Sequence, residues 1–238
     1  MEFPAINFSS ALPDFLVEIN RQLERRSVKQ VLKLALGHFK DDIAMTTAFG
    51  ASGMVLLHHL LPLKPDIKIH FLDTGYHFTE TLEFAERLRS NWNLNLEIKR
   101  PTALDNVMGK RPFEVDPDRC CQINKVEPLL SIVYQQSAWI SAIRRDQSVS
   151  RQHLDVVEID RRGTIKVSPL INWTSRDIWQ YINDHDIPVH PLYEKGFPSI
   201  GCEPCTSRVA QSGQERDGRW KNSSKVECGI HDHIDWRN

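Results

Sequence analysis

The sequence contains no hydrophobic run long enough to cross a membrane. Its longest apolar stretch, residues 54–63, is interrupted by His58, His59 and Pro62, whereas a membrane-spanning helix needs about 20 consecutive apolar residues. The N-terminus also lacks the basic segment and apolar core that mark a secretion signal. We therefore expect a cytoplasmic protein without a membrane partner.

An excess of charge of one sign is absent as well. The 238 residues carry 30 Lys and Arg against 31 Asp and Glu, which leaves a formal net charge of -1. This balance gives no electrostatic reason to expect a nucleic-acid partner. Internal repeats and low-complexity tracts are also lacking. We expect a main domain over residues 43–212, a helical lead-in packed on it over residues 1–42, and a polar C-terminal tail over residues 213–238.

Cysteine is scarce, since the chain has five, but its spacing is informative. Cys120 and Cys121 are adjacent, Cys202 and Cys205 form a Cys-x-x-Cys turn, and Cys228 stands alone near the C-terminus. Cytosolic thiols are kept reduced, so we expect metal binding or catalysis before disulfides. The pattern indicates one metal centre on the two pairs and a separate chemical role for the fifth thiol.

Two pairs of thiolates suit either zinc or an iron–sulfur cluster. Zinc sites usually use two Cys-x-x-Cys knuckles, whose sulfurs reach adjacent tetrahedral positions about 2.3 Å from the ion. The side chains of an adjacent pair such as Cys120 and Cys121 diverge. A [4Fe–4S] cluster offers a separate iron atom to each sulfur, so the spacing favours the cluster and leaves zinc as the alternative. A redox dithiol is disfavoured because the helix expected directly after a strand is missing.

Cys228 has a charged neighbourhood in the sequence. Positive charge lowers the pKa of a thiol and makes a thiolate nucleophile available, whereas a spare structural cysteine is more typical of an apolar strand. Glu227 opposes such a shift, so the sequence alone does not decide between the two roles. The basic residues nearby are Arg216, Arg219, Lys225 and His231.

Alternating strand and helix patterns predict the fold. Buried strands over residues 43–49, 67–72 and 94–98 are separated by helices over residues 54–61 and 78–92, which predicts a doubly wound, mostly parallel sheet with flanking helices. The remaining predicted elements are lead-in helices over 14–36 ending at Gly37, an N-cap at Thr79, a helix over 122–135, a strand over 139–143, a hairpin turning at residues 161–163, and a helix over 172–182.

Ligands of such sheets bind at the carboxyl ends of the strands, where three loops are candidates. Residues 50–53 form a small-residue turn before a helix, which either presents N–H groups to a phosphate or is a plain tight turn. Asp73 is either a ligand or a helix cap. Residues 144–148 with Arg151 either bind an anion or form a solvated basic turn.

These motifs together resemble the assimilatory adenylyl-sulfate reductases. The resemblance runs from about residue 43 to residue 231, nearly the whole chain, and its combination of motifs is highly specific. The related phosphoadenylyl-sulfate reductases share the nucleotide loops and the Cys228 motif but typically lack the two cysteine pairs. The motifs are Leu72-Asp73-Thr74-Gly75, Cys120-Cys121 followed by Lys125, Arg144-Arg145-Asp146-Gln147-Ser148, Gly201-Cys202-Glu203-Pro204-Cys205-Thr206, Arg216-Asp217-Gly218-Arg219-Trp220 and Glu227-Cys228-Gly229-Ile230-His231.

The resemblance implies an adenine-nucleotide alpha-hydrolase-like fold and one [4Fe–4S] cluster per chain on Cys120, Cys121, Cys202 and Cys205. It implies that Cys228 attacks the sulfur of adenylyl sulfate and that thioredoxin or glutaredoxin, as a separate electron donor, releases sulfite. The cations expected around the sulfuryl group are Lys125, Arg216, Arg219 and His231. The substrate contacts that it implies are Phe49, Gly50, Ala51, Ser52, Gly53, Leu72, Asp73, Thr74, Gly75, Arg144, Arg145, Asp146, Gln147, Ser148 and Arg151.

Several alternatives stay open at this point. Ala48 stands where many relatives carry Ser, so a hydroxyl contact to the substrate is either absent or supplied by Thr47 or Ser52. The 3′-phosphorylated nucleotide is an alternative substrate, alone or together with adenylyl sulfate. An adenylating ATP pyrophosphatase is disfavoured, because residues 50–53 lack its Ser-Gly-Gly-x-Asp-Ser loop. A zinc-stabilised nucleotide-binding or regulatory protein without catalysis is the non-enzymatic alternative. Relatives are often dimers or tetramers, which makes a homo-oligomer an expectation from resemblance only.

Overall fold

A computed structural model describes residues 12–101, 111–160, 163–210, 213–221, 223 and 225–231. They form a six-stranded sheet with flanking helices. In chain order the elements are α1 Leu12–Leu23, α2 Val28–Phe39, β1 Ile43–Thr46, α3 Ala51–Leu60, β2 Lys68–Leu72, α4 Thr79–Asn91, β3 Leu96–Lys99, α5 Pro112–Val115, α6 Pro117–Cys121, a π-turn Gln122–Val126, α7 Glu127–Val133, β4 Ala138–Ile140, β5 Val157–Ile159, β6 Ile165–Val167 and α8 Ser175–Asp184.

The strand order is β3-β2-β1-β4-β6-β5. Neighbouring strands run parallel except β5, which is antiparallel to β6. The chain builds outward from β1 through β2 to β3 and then returns to the other side of β1 with β4. The loops after β1 and β4 therefore diverge and open a crevice at the carboxyl edge, where ligands of doubly wound sheets bind. This architecture confirms the predicted fold class.

The core lies on both faces of the central strands. β1 and β4 are buried, as strands covered by helices on both sides should be. Helix α3 is unusually apolar, and Met54, Val55, Leu56 and Leu57 are fully buried in it. A helix without an exposed polar face is held by its surroundings, so its N-terminus is fixed rigidly at the crevice.

Helix α1 packs against edge strand β5, whereas α2 packs against α3. In α1 the buried side chain of Asn20 donates to the carbonyl of Val157 at 2.8 Å and accepts from its N–H at 2.8 Å, which extends the hydrogen bonding of edge strand β5. Ser27 caps α2 in a capping box with Gln30, as predicted for the N-cap. The predicted stop at Gly37 is wrong, because α2 continues to Phe39, which is buried in the core.

Several predicted boundaries also shift. β1 ends at Thr46 instead of residue 49, because Phe49 has a φ of 56°, a left-handed conformation that a strand cannot contain. Phe78, not Thr79, is the N-cap of α4. The predicted helix over residues 122–135 begins at Pro117 and includes a π-turn. The 156–167 hairpin is present as β5 and β6, but Arg161 and Arg162 of its predicted turn lie outside the described residues.

None of the helices in the described part of the chain combines the length and apolar character needed to cross a membrane.

Candidate active site

A cavity of about 260 Å³ opens at the carboxyl ends of β1 and β4. Most of the residues predicted to act in catalysis or binding surround it. Those in its lining are Gly50, Ala51, Ser52, Gly53, Leu72, Lys125, Arg144, Gln147, Arg151, Arg216, Arg219, Cys228 and His231. The predicted substrate residues that lie outside the lining are Phe49, Asp73, Thr74, Gly75, Arg145, Asp146 and Ser148.

The loop after β1 supports one wall of the cavity. A Cβ atom on Gly53 would lie 2.5 Å from Oγ1 of Thr47, so the tight packing there requires glycine. The hydroxyl of Tyr193 accepts a hydrogen bond from the N–H of Ala51 at 2.8 Å, which occupies one of the helix N–H groups predicted to face a phosphate. Burial raises the pKa of Tyr193 to about 12. Sequence reasoning missed Tyr193 because it lies in a proline-rich extended segment.

The two adjacent arginines after β4 point to different places. The side chain of Arg144 is 2% exposed and pairs with Asp146 at 2.8 Å and Glu215 at 2.7 Å, and it also donates to Ser52. Arg145 instead reaches Glu24, the residue that follows α1. Arg144 therefore faces the cavity with its charge already compensated by two carboxylates, and Arg145 ties the loop after β4 to the end of α1.

The loop after β2 connects the sheet to the cysteine turn. Asp73 accepts from the N–H of Gly75 at 3.0 Å and pairs with Arg100 at 2.9 Å, so both its carboxylate oxygens are engaged behind the cavity. The hydroxyl of Thr74 lies 3.2 Å from Sγ of Cys202. The N–H of Glu203 donates to Tyr76 at 2.8 Å. The Cys-x-x-Cys turn is thus docked on the carboxyl end of β2.

The adjacent cysteines end α6 and precede the π-turn. Such single π-helical turns are rare in proteins, but those that occur often lie at functional sites. Here the turn places the side chain of Asn124 so that it donates to the carbonyl of Cys120 at 2.9 Å and lies 3.7 Å from its Sγ. Pro128, which lacks an N–H, is the second residue of α7, in the first turn where that loss is tolerated. The structure therefore adds Asn124 to the thiol neighbourhood.

The four cysteines of the two sequence pairs form no disulfide, and three of them are buried. Burial raises the pKa of Cys120, of Cys205 and of Cys121, the last to about 11. Burial acts in the same direction on Cys202, but Lys125 and Thr74 outweigh it, so the pKa of that thiol is lowered. Thiols with a raised pKa are costly to ionise unless a cation lies nearby. The four thiols therefore suit a cationic centre.

Lys125 is buried between these thiols and the cavity, which it lines. Burial alone would lower its pKa, but the charges of Cys202 and Cys228 outweigh burial and raise it, so the ammonium stays protonated. Within the described ranges, no three His, Cys, Asp or Glu side chains are grouped so as to hold a single metal ion. Each of the four thiols interacts electrostatically with this one buried ammonium.

Arg219 is held between the cysteine turn and an aromatic ring. Its Nε donates to the carbonyl of Cys205 at 3.2 Å, and its guanidinium lies 4.5 Å from the centre of the Trp220 ring. Thr206 and Arg219 pair as an isolated β-bridge. Because Gly201 has no side chain, the guanidinium can rest against its backbone.

The segment carrying Cys228 is packed over the cavity, whereas the sequence suggested a thiol that stands apart. Ile230 contacts the small apolar cluster of Leu129, Val133 and Trp139. The ring of His231 stacks on Trp139 with an interplanar angle of 4°. Burial, followed by the nearby cations, lowers the pKa of His231 well below its usual value. Its imidazole is therefore neutral at pH 7 and adds no positive charge.

Residues 42–208 match the phosphoadenosine phosphosulfate reductase domain. The chain belongs to this reductase family. The adenosine 5′-phosphosulfate reductase of Bacillus mycoides (strain KBAB4) is 41% identical over 221 residues, covering 90% of this chain and 94% of that protein. The reductase of the same name from Halalkalibacterium halodurans is 42% identical, covering 90% of this chain and 95% of that protein.

Solved structures agree with this family membership. The phosphoadenylyl-sulfate reductase from Candida auris, a phosphate complex, superimposes with a TM-score of 0.72 at 26% identity, covering 87% of this chain and all of that chain. The FMN adenylyltransferase of Candida glabrata has a TM-score of 0.59 at 16% identity, covering 89% of this chain and 76% of that chain. The second likeness concerns the fold alone.

Proposed function

We propose that this enzyme reduces adenosine 5′-phosphosulfate to AMP and sulfite in sulfate assimilation. The observation that carries the proposal is a single cavity whose lining combines the Cys228 thiol, the cations Lys125 and Arg219, and the nucleotide-type loop at the start of α3. Relatives about 40% identical over nine tenths of the chain bear the name of this reductase. This lining supports the proposal, because it brings a candidate nucleophile beside a loop of the kind that binds nucleotide phosphates.

The chemistry is a thiol attack on a sulfuryl group. The Cys228 thiolate forms a bond to the sulfur of the substrate, the bond from that sulfur to the AMP phosphate oxygen breaks, and AMP leaves with the electron pair. The enzyme then carries an S-sulfocysteine. A thiol of a separate dithiol protein attacks Sγ of Cys228 and releases sulfite, and its second thiol resolves the mixed disulfide, so two electrons pass from the dithiol to sulfur.

The cations of the cavity have distinct roles in this proposal. Negative charge is present on the sulfuryl oxygens throughout the transfer, so fixed positive groups in a water-poor site stabilise it. Lys125 and Arg219 are the two candidates for contact with those oxygens. His231, being neutral, serves as a hydrogen-bonding group through Nδ1, which is buried without a partner among the described residues.

Cys120, Cys121, Cys202 and Cys205 would hold a [4Fe–4S] cluster, with zinc as the alternative. When bound, the cationic core of the cluster would compensate charge on the four thiolates beside Lys125, and it would not have to change oxidation state. The chain's own residues carry the rest of the task. Thr74 and Asn124 offer polar hydrogens to two of the sulfurs and would fix the orientation of those ligands.

The 3′-phosphorylated nucleotide is a second candidate substrate, because the domain match and the Candida auris structure both bear the name of that activity. Thioredoxin or glutaredoxin is the proposed reductant. A homo-oligomer of two or four chains stays an expectation from the resemblance.

The test is sulfite release from each nucleotide by anaerobically purified enzyme with thioredoxin. We expect turnover of adenosine 5′-phosphosulfate and its loss in Cys228→Ser, with about four iron and four sulfide per chain retained in the variant. Turnover of the 3′-phosphorylated nucleotide alone would replace the proposed substrate, and turnover unaffected by Cys228→Ser would overturn the mechanism. Zinc in place of iron would overturn the cluster assignment.

A further inference from the structure

Both carboxylate oxygens of Glu227, the residue before the proposed nucleophile, accept more than one hydrogen bond. Oε1 accepts from Nε of Arg151 at 2.8 Å and from the hydroxyls of Ser148 at 2.9 Å and Ser150 at 3.2 Å. Oε2 accepts from Nη2 of Arg151 at 2.8 Å and from Arg216 at 3.0 Å. A two-point contact with one arginine is among the strongest and most directional ion pairs in proteins.

This site is enclosed rather than superficial. The side chains of Glu227 and Arg151 are 8% and 9% exposed, and that of Arg216 is 17% exposed. Burial alone would raise the pKa of Glu227, but Arg151 and then Arg216 outweigh it and hold that pKa below its usual range. The carboxylate is therefore ionised at neutral pH, and removing its charge leaves two buried guanidinium groups without their counter-charge.

The sequence predicted both arginines as substrate or transition-state contacts, which raises the question of whether Glu227 occupies the substrate position. The cavity argues against this. Cys228, Arg151 and Arg216 line it while Glu227 does not, so the open volume persists beside the completed ion pairs. The carboxylate binds the far side of the arginines and leaves space for a ligand on the near side.

We propose that Glu227 is a positioning residue that docks residues 225–231 on Arg151 and Arg216 and thereby holds the Cys228 thiol at the cavity. The inference rests on the function proposed above for the role of Cys228. The segment has a second attachment beyond the thiol, where Ile230 and His231 pack on the Trp139 cluster. Cys228 is thus held between a polar anchor one residue before it and an apolar anchor after it.

The docked state can be measured without any catalytic assay. The side chain of Lys225 is 8% exposed and is tied to Asp118, so trypsin cleavage after this residue reports release of the segment. We expect Glu227→Gln to be cleaved at least tenfold faster than the wild type, and Cys228 to be alkylated by iodoacetamide faster by a similar factor. Ser150→Ala, which removes one exposed donor, should act in the same direction by about twofold.

Kinetics then separate positioning from binding. In Glu227→Gln we expect kcat to fall at least tenfold while the Kd for AMP stays within about threefold of the wild type. The matched control is Glu80→Gln, which removes a carboxylate paired with Lys195 at 2.7 Å, a contact between two other segments of the chain. It should leave cleavage, alkylation and kcat unchanged.

The outcomes distinguish the two proposals. If cleavage, alkylation and kcat of Glu227→Gln all equal those of the wild type, the anchor is overturned. It is also overturned if Glu227→Gln binds AMP more than tenfold tighter than the wild type, because the Glu227 carboxylate would then be competing with the nucleotide. If instead the wild-type protein reduces neither nucleotide, the proposed function fails, while the trypsin comparison still decides whether Glu227 docks the segment. A folded Glu227→Gln protein that loses AMP binding would also overturn the anchor, because Glu227 would then serve nucleotide binding through its arginine partners. If the variant shows no cooperative unfolding in urea, Ser150→Ala decides.

Discussion

The substitution Gly201→Ala is expected to reduce the rate of catalysis and also to lower stability. A Cβ atom at this position would lie 2.5 Å from Cζ of Arg219. Because non-bonded carbon atoms settle about 3.5 to 4.0 Å apart, the guanidinium must move by roughly 1 Å. Arg219 is the flexible partner in this contact, so the backbone can stay where it is.

The two costs can be estimated separately. Displacing the guanidinium weakens its hydrogen bond to Cys205 and its contact with the Trp220 ring, which together are worth about 1 to 2 kcal/mol of unfolding free energy. A charged group misplaced by about 1 Å at a reaction centre can reduce the rate about 100-fold. We therefore expect kcat/KM to fall between about 10-fold and 100-fold.

The assay is sulfite release under anaerobic conditions, together with iron content and urea unfolding. Gly37→Ala is the matched control, since a Cβ atom there meets nothing within 4 Å. In the interior of α2 it should stabilise the protein by about 0.5 to 1 kcal/mol with unchanged kcat/KM. A Gly201→Ala enzyme that keeps its iron and its wild-type kcat/KM would refute the assigned role of Arg219.

Two further predictions concern buried groups away from the cavity, both measured by urea unfolding. Lys166 on β6 and Glu158 on β5 form an ion pair at 2.7 Å and are almost completely buried. Lys166→Met should lower the free energy of unfolding by about 3 to 5 kcal/mol, and the Lys166→Met/Glu158→Leu double variant should recover most of that loss. A double variant as unstable as Lys166→Met would contradict this prediction. Burial lowers the pKa of the fully buried His190 to about 4, whereas in the unfolded state this histidine takes up a proton near pH 6.5. Its contribution to the free energy of unfolding is therefore complete above pH 6.5 and is lost as the pH falls toward 4. His190→Asn should flatten that part of the stability profile; an unchanged slope would show that His190 is not responsible.

Much of the fold was readable from the sequence because its signals are local. Buried strands followed by helices predicted the parallel sheet and the edge that carries the cavity. Boundaries were less accurate, because tertiary packing set them. Phe49 keeps its left-handed backbone conformation because its side chain is buried in the core. Helix α2 continues past Gly37 to Phe39, because the Phe39 ring is also buried in the core.

The candidate site was predicted less completely, for the same reason. Side-chain partners are distant in sequence, as with Arg144 and Glu215 or Ala51 and Tyr193, and no local pattern reports them. Two adjacent arginines look alike in the sequence, whereas the backbone directs Arg144 into the cavity and Arg145 toward α1. The titration of His231 follows from burial, which one sequence cannot reveal.

The sequence by itself determined the chemistry that is available: two cysteine pairs, a lone thiol, a sheet-edge loop and a set of basic residues. Residue type fixes which atoms can donate, accept or attack, and alternation of strands and helices fixes the edge where they collect. Only the tertiary structure decided how those charges are used. The sequence suggested only that Glu227 would oppose a thiolate, whereas in the structure it compensates Arg151 and Arg216. Electrostatic roles depend on distances that folding creates.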